Sequence, residues 1–287
     1  MLWPLKRPPI PYRQIPIWSF YYLAACPPPS DPTMIWGTDV PMAGLEAYLK
    51  EVNADSDVLI STAHVLVQAV GRCLAEQPHF NRRILGRRLY EFKDVNVLLP
   101  VLGGPSGPEV CLLEDVDRKT LAEIARDIWQ QSRQIAKGTS TYQGYERLFR
   151  RIPRLLRGFL FRLMLWQTRC VNWPAALWGH RTCRAGTLIN YLGHRGAPPM
   201  RSFKASRFPN EACPTNVTMG PTERGPDGPA APLFVRADHR VMDACQLGQF
   251  LAQLRRHLME PALMEAGAMD EGRGAKVADG EAGRQAA

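Results

Sequence analysis

Within RADHRVMDAC, residues 236–245, Asp238, His239, Arg240 and Asp243 stand close together. The apolar run Pro232-Leu233-Phe234-Val235 precedes them, and QLGQFLAQLRRHL follows with helical spacing. They therefore fall where a buried strand gives way to a helix. Charge there costs free energy unless it is paired or used. Asp243 directly precedes the helical periodicity, and Gln246 three places on completes a capping-box pattern, so capping accounts for Asp243. Arg240 calls for a nearby carboxylate. His239 serves neither capping nor packing. An imidazole with an ordinary pKa of about 6.5 is a natural general base at neutral pH. At a strand end, oriented by neighbouring Asp and Arg side chains, it suits removal of a proton from a thiol or hydroxyl. A hydrogen-bonded turn histidine would carry the same triplet, so the triplet alone leaves both readings open.

The elements that must position this turn follow from the pattern. TMIWGTDV (33–40) reads as a strand, with Asp39 capping a helix that holds Leu45, Leu49 and Val52 at helical spacing. DVLISTAHVLVQAVGRCLAEQP (57–78) is apolar nearly all round. It reads as a buried helix ended by Pro78, with His64 a hydrogen-bonded core residue. FKDVNVLLPVL (92–102) and EVCLLED (109–115) read as a hairpin closed by GGPSGP. Leu121, Ile124, Ile128 and Ile135 mark an amphipathic helix starting near Asp117. AGTLINYLG (185–193) reads as a strand and 194–232 as loop. The last helix ends about Glu260-Pro261. Residues 1–32 form a Pro-rich arm and 263–287 a disordered tail. This order predicts an α/β chain, an α+β two-layer sandwich in which helices cover a mixed sheet.

The net charge is +9, from 36 basic and 27 acidic residues, and it is unevenly spread. Between Gly138 and Arg207 there are 13 Lys and Arg against the single acid Glu146. Residues 138–184 form a basic amphipathic insertion. Leu148, Ile152, Leu155, Phe159 and Leu163 share one helical face, while Arg147, Arg150, Arg151, Arg154 and Arg157 crowd elsewhere. Pro153 begins its second helix. The preferred reading is that this face covers the protein's own core, with Arg stems reaching water. A membrane surface or a docking partner is the alternative. Nucleic acid ranks last, because Leu and Phe interleave with the Arg residues and no nucleic-acid motif occurs. Seven widely spaced cysteines without a CxxC pair argue against a disulfide framework or a zinc site. They predict free buried thiols in a reducing cytoplasm. No run approaches the roughly 18 apolar residues of a membrane span.

ADHRVMDA (237–244) resembles the DHRxxDG motif of the catalytic domain of the 2-oxoacid dehydrogenase acyltransferases. Chloramphenicol acetyltransferase is similar, with HHxxxDG at that place. Four further stretches resemble this family in the same order. LVQAVGRCLAEQPHFNRRI (66–84) resembles its buried helix and Pro-x-x-Asn segment, and DVNVLLPV (94–101) its central strand. GTLINYLG (186–193) resembles its GTFTISNLG strand, and FLAQLRRHLMEP (250–261) its closing helix. The resemblance covers residues 33–262 and implies a chloramphenicol acetyltransferase-like fold assembled as a homotrimer. Its active-site channel would lie between subunits, with coenzyme A and the acyl acceptor entering from opposite sides. It implies His239 as general base and Asp243 as orienting carboxylate. Arg240 would be the partner of Asp243, and Asp238 would give further structural support. Asn190 stands where the family has the serine that the adjacent subunit directs at the oxyanion, and Ala244 stands for the final glycine. No stretch resembles a lipoyl or subunit-binding domain. The expectation is a stand-alone cytoplasmic acyltransferase that needs no metal. It would move an acyl group between coenzyme A and a lipoyl-like thiol, carried by a lipoylated protein in trans, or a small hydroxyl or amine. The alternative is a catalytically weak or inactive trimeric scaffold that recruits a partner or membrane through the basic segment.

Overall fold

The computed structural model describes residues 32–104, 107–140, 151–173, 184–193 and 213–264, together with residues 9–11, 14, 143–144 and 148. In chain order the elements are β1 (Thr33–Pro41), α1 (Ala43–Asp55), α2 (Thr62–Glu76), β2 (Arg82–Leu85), β3 (Arg88–Glu91), β4 (Val97–Gly104) and β5 (Gly107–Leu113). Then come α3 (Leu121–Ala136), α4 (Arg154–Cys170), β6 (Thr187–Tyr191), β7 (Thr215–Met219), β8 (Glu223–Gly225), β9 (Gly228–Asp238) and α5 (Ala244–Met259).

One sheet runs in the order β1-β9-β7-β6-β4-β5, with β8 also paired to β9. β6 is parallel to both its neighbours and every other pair is antiparallel, so the sheet is mixed as expected. Side chains alternate across a strand. Ile189, Val217, Met219, Leu233, Val235 and Ala237 therefore share one face, where they join the core with α2, α3 and α5. Asn190, Asn216, Thr218 and Arg236 have the opposite parity and lie on the other face. α2 is buried at every residue from Val65 to Leu74, which makes it the central pillar of the helical layer. Gly71 lets the loop after β5 cross it closely, since a Cβ there would sit 2.7 Å from Val116 Cγ2.

Several boundaries differ from expectation, each for a local reason. α2 begins at Thr62 rather than Asp57, because Ser61 is its cap and His64 Nδ1 accepts the Ser61 N–H at 3.0 Å. His64 thus belongs to the capping box rather than the core, and burial lowers its pKa. Asp39 lies inside β1 opposite Pro232, too early to cap α1. α3 begins at Leu121, four residues after Asp117. Its reciprocal box has Glu123 N donating to Thr120 Oγ1 at 3.3 Å and Thr120 N donating to Glu123 Oε2 at 2.8 Å. The β4–β5 hairpin forms as predicted, although β4 starts at Val97. The stretch 194–232, expected as loop, contains β7, β8 and the start of β9. RRILGRRLYE folds into an unexpected hairpin, β2–β3, turned at Gly86 with φ +60°. Cys73, Cys111 and Cys213 are buried thiols, as expected, but Cys170 and Cys245 are exposed. Of the arm, Ile10 N donates to Leu89 O, and at the other end Met264 is buried in the core. The arm apart from residues 9–11, 14 and 32, and residues 265–287, lie outside the described residues.

α4 departs from the preferred reading of its apolar face. Phe159 is 65% and Trp166 55% exposed, and Leu156 and Leu163 are exposed as well. The helix is held by its C-terminal end. The buried Arg83 donates from Nη2 to Thr168 O at 3.0 Å, and Gly86 N donates to Arg169 O at 2.8 Å. A guanidinium on last-turn carbonyls meets the negative end of the helix dipole and satisfies acceptors that the helix leaves open.

Candidate active site

The chain turns sharply after β9. Asp238 N donates to Pro214 O at 2.9 Å, which keeps the strand end in the sheet, and His239 N donates to Pro32 O at 2.8 Å. Val241 N and Met242 N both donate back to Asp238 O. The side chains of Val241 and Met242 are buried, so the turn is anchored from below. Above it, the Asp238 carboxylate accepts from Arg240 Nε at 2.9 Å, from Arg240 Nη2 at 2.6 Å and from Arg240 N at 2.9 Å. This is a fork-like, charge-assisted pair in a mostly buried setting, strong and directional. It corrects the expectation that Arg240 partners Asp243. Asp238 lies two residues away, and the turn itself folds its carboxylate onto the guanidinium. Asp243 closes the capping box predicted from sequence: Oδ1 accepts from Gln246 N at 2.7 Å, and Gln246 Oε1 accepts from Asp243 N at 3.0 Å. His239 is thus a half-buried imidazole on a turn braced on both sides.

A second histidine, not singled out from sequence, stands nearby. His79 lies in the short turn Pro78–Phe80, and its ring is 4.0 Å from that of Phe80, which in turn packs edge-on against Phe250 of α5. Burial and the Arg82 charge lower its pKa, while Glu91 and Asp243 pull it upward. Only its place in the Pro-x-x-Asn stretch pointed to it.

Asn190 sits on β6, half-buried. Its Nδ2 donates to Asn216 Oδ1 at 2.8 Å. In register Asn190 is level with Thr218 of β7, and Thr218 is level with Phe234 of β9. His239 lies five residues beyond Phe234 and two strands away. At about 3.3 Å per residue and about 4.8 Å per strand, the two are roughly 19 Å apart. Within one copy of the chain His239 and Asn190 therefore do not face a common site. Among the described residues no group of three or more His, Cys, Asp or Glu could hold a metal ion.

The mixed sheet backed on one face by helices, with a turn leading from its long strand into the closing helix, is a chloramphenicol acetyltransferase-like fold. Within it, residues 30–146 match the family model described as 2-oxoacid dehydrogenases acyltransferase (catalytic domain). The chain is similar to dihydrolipoamide acetyltransferase of Azotobacter vinelandii. Identity is 17%, the TM-score is 0.59, and 90% of this chain and 93% of that one are covered. It resembles equally the cubic core of the pyruvate dehydrogenase multienzyme complex, at 17% identity and TM-score 0.59 over 90% and 99% of the two chains. Chloramphenicol acetyltransferase is 13% identical, with TM-score 0.50 over 84% and 93%. At these identities the solved structures establish the fold. No curated protein matches the chain.

Proposed function

We propose that the chain moves acyl groups between coenzyme A and a thiol acceptor, with His239 as general base and Asn190 of a neighbouring copy as oxyanion donor. His239 takes the proton of the attacking thiol, and the sulfur adds to the thioester carbonyl. The oxyanion so formed accepts from Asn190 Nδ2. Its collapse expels the thiolate of coenzyme A, which takes the proton back from the imidazolium. The observation that carries this reading is the His239 turn, braced by the Asp238–Arg240 fork and by the Asp243 cap at the junction of β9 and α5. Further support comes from the Azotobacter enzyme. The histidine and asparagine studied in its catalytic mechanism are four residues apart, and the serine studied with them lies some fifty residues ahead. His239 and Asp243 share that spacing, and Asn190 lies about as far ahead. The separation of His239 from Asn190 supports a homotrimer, or an assembly built from trimers, as the working form. A dihydrolipoyl group on a protein in trans is the acceptor best suited to this site, with a small hydroxyl or amine the alternative.

The test is thiol release from a panel of acyl-coenzyme A donors with dihydrolipoamide as acceptor. His239→Ala is expected to lose at least about 100-fold in rate, the usual worth of a positioned general base. Its sedimentation should be unchanged. Wild-type turnover by that variant would overturn the mechanism.

The exposed α4 stripe favours a second role, recruitment to an anionic membrane. Leu156, Phe159, Leu163 and Trp166 follow one helical face, and no acidic residue occurs from Arg147 to Asn210. Among the described residues no helix is long and apolar enough to cross a membrane, so this contact would be interfacial. Co-sedimentation with phosphatidylserine vesicles, but not with neutral ones, is expected, and Phe159→Glu with Trp166→Glu should abolish it. Retention in the supernatant with both vesicle types would exclude this role.

A further inference from the structure

The Asn190 carboxamide is not free to turn. Its Nδ2 donates to Asn216 Oδ1 at 2.8 Å, and Thr218 Oγ1 donates to the same oxygen at 3.2 Å. A carboxamide oxygen has two acceptor sites, so both are filled. Asn190 Nδ2 also donates to Thr218 Oγ1, at 3.4 Å. Asn216 is only 2% exposed, and its own Nδ2 has no partner among the described residues.

We propose that Asn216, aided by Thr218, is a positioning residue that fixes Asn190 as an oxyanion donor. The inference rests on the acyl-transfer reading of Asn190. A serine hydroxyl rotates to suit its acceptor. An asparagine has two torsions and presents oxygen as readily as nitrogen. Carboxamide oxygen facing an oxyanion repels it. Asn216 Oδ1 and Thr218 Oγ1 lie only 3.2 Å apart and share one N–H of Asn190, which holds its nitrogen end, and the second N–H keeps a set direction. On this account the asparagine at 190 works because asparagine and threonine stand at 216 and 218 on the adjoining strand.

The experiment compares Asn190→Ala, Asn216→Ala, their double variant and Asn216→Asp, with thermal melting to confirm folding. Loss of Asn190 should lower kcat by about 100-fold, as for other oxyanion donors. Asn216→Ala should lower kcat by about 10-fold with KM for acyl-coenzyme A unchanged, and the double variant should be no worse than Asn190→Ala, as expected for residues acting as a unit. Asn216→Asp keeps the acceptor oxygen and should recover most of kcat. Wild-type kcat in Asn216→Ala, beside an impaired Asn190→Ala, would overturn the positioning role alone. So would additive losses in the double variant. Full kcat in Asn190→Ala beside a dead His239→Ala would instead overturn the reading of Asn190 and this inference with it. A crystal structure of Asn216→Ala tests the same point without turnover. The Asn190 amide plane should reorient, and an unchanged plane would overturn the proposal.

Discussion

Arg240 and Asp238 are two residues apart, yet they form the strongest polar contact of the site, with both side chains mostly buried. Arg240→Lys keeps the charge but loses the planar fork. Turnover that depends on His239 should fall by about 10-fold while the protein stays folded, because His239 sits between the two paired residues. Arg240→Ala leaves a largely buried carboxylate without its guanidinium. Urea denaturation should show a loss of about 3 kcal/mol, in the range found when one partner of a buried pair is removed. A loss below about 0.5 kcal/mol would mean that water replaces the guanidinium at Asp238. Asp243 has a different task. Asparagine caps a helix as well as aspartate does, so Asp243→Asn should leave stability and turnover near wild type, whereas Asp243→Ala should cost about 1 kcal/mol. Loss of turnover in the asparagine variant alone would show that the carboxylate charge acts on the chemistry.

At the scale of the element, α2 tolerates little added bulk at Gly71. In Gly71→Ala the new methyl would meet Val116 Cγ2 at 2.7 Å and the Val116 backbone carbon at 3.1 Å. Overpacking of this kind costs typically about 2 kcal/mol, so the melting temperature should drop although alanine is the better helix former. The helices were legible in the sequence because their signals are local. The Asp243–Gln246 box and the spacing of Leu247, Phe250, Leu251, Leu254 and Leu258 fixed α5 before any contact was known. β7 was not legible. TNVTM is buried throughout, but three of its five residues are polar, and its strand character comes from β6 and β9 on either side. The β2–β3 hairpin hid behind four arginines, one of which, Arg83, is buried under the end of α4. The amphipathic pattern of α4 was read correctly as a helix and wrongly as core cover, because an apolar stripe specifies burial without naming the surface that provides it. Of the site, His239 and the cap were legible. The Asp238–Arg240 pairing and the Asn190–Asn216 bond were not, since each depends on where a turn or a neighbouring strand places a side chain.

At the scale of the whole molecule, three of the described histidines tie stability to pH just below neutrality. Burial is the largest cause lowering the pKa of His64, His79 and His257 below 6.5. As pH falls below 6.5 the unfolded chain takes up these protons before the folded one does. The stability tied to the neutral rings is therefore complete above 6.5 and is lost progressively below it. The urea midpoint at pH 5.5 should lie below that at pH 7.5, and His257→Gln should reduce the difference. A midpoint that rises on acidification would contradict this assignment.

The roughly 19 Å between His239 and Asn190 makes the number of neighbours, rather than the integrity of a chain, the measure of a working site on the proposed chemistry. Dilution below the assembly threshold should silence the protein without unfolding it, so that turnover per chain reports how crowded its own kind is. It also makes two failures mutually curable. Co-refolding equal amounts of His239→Ala and Asn190→Ala, each inactive alone, should return roughly a quarter of wild-type turnover, because that share of random subunit contacts joins an intact His239 to an intact Asn190.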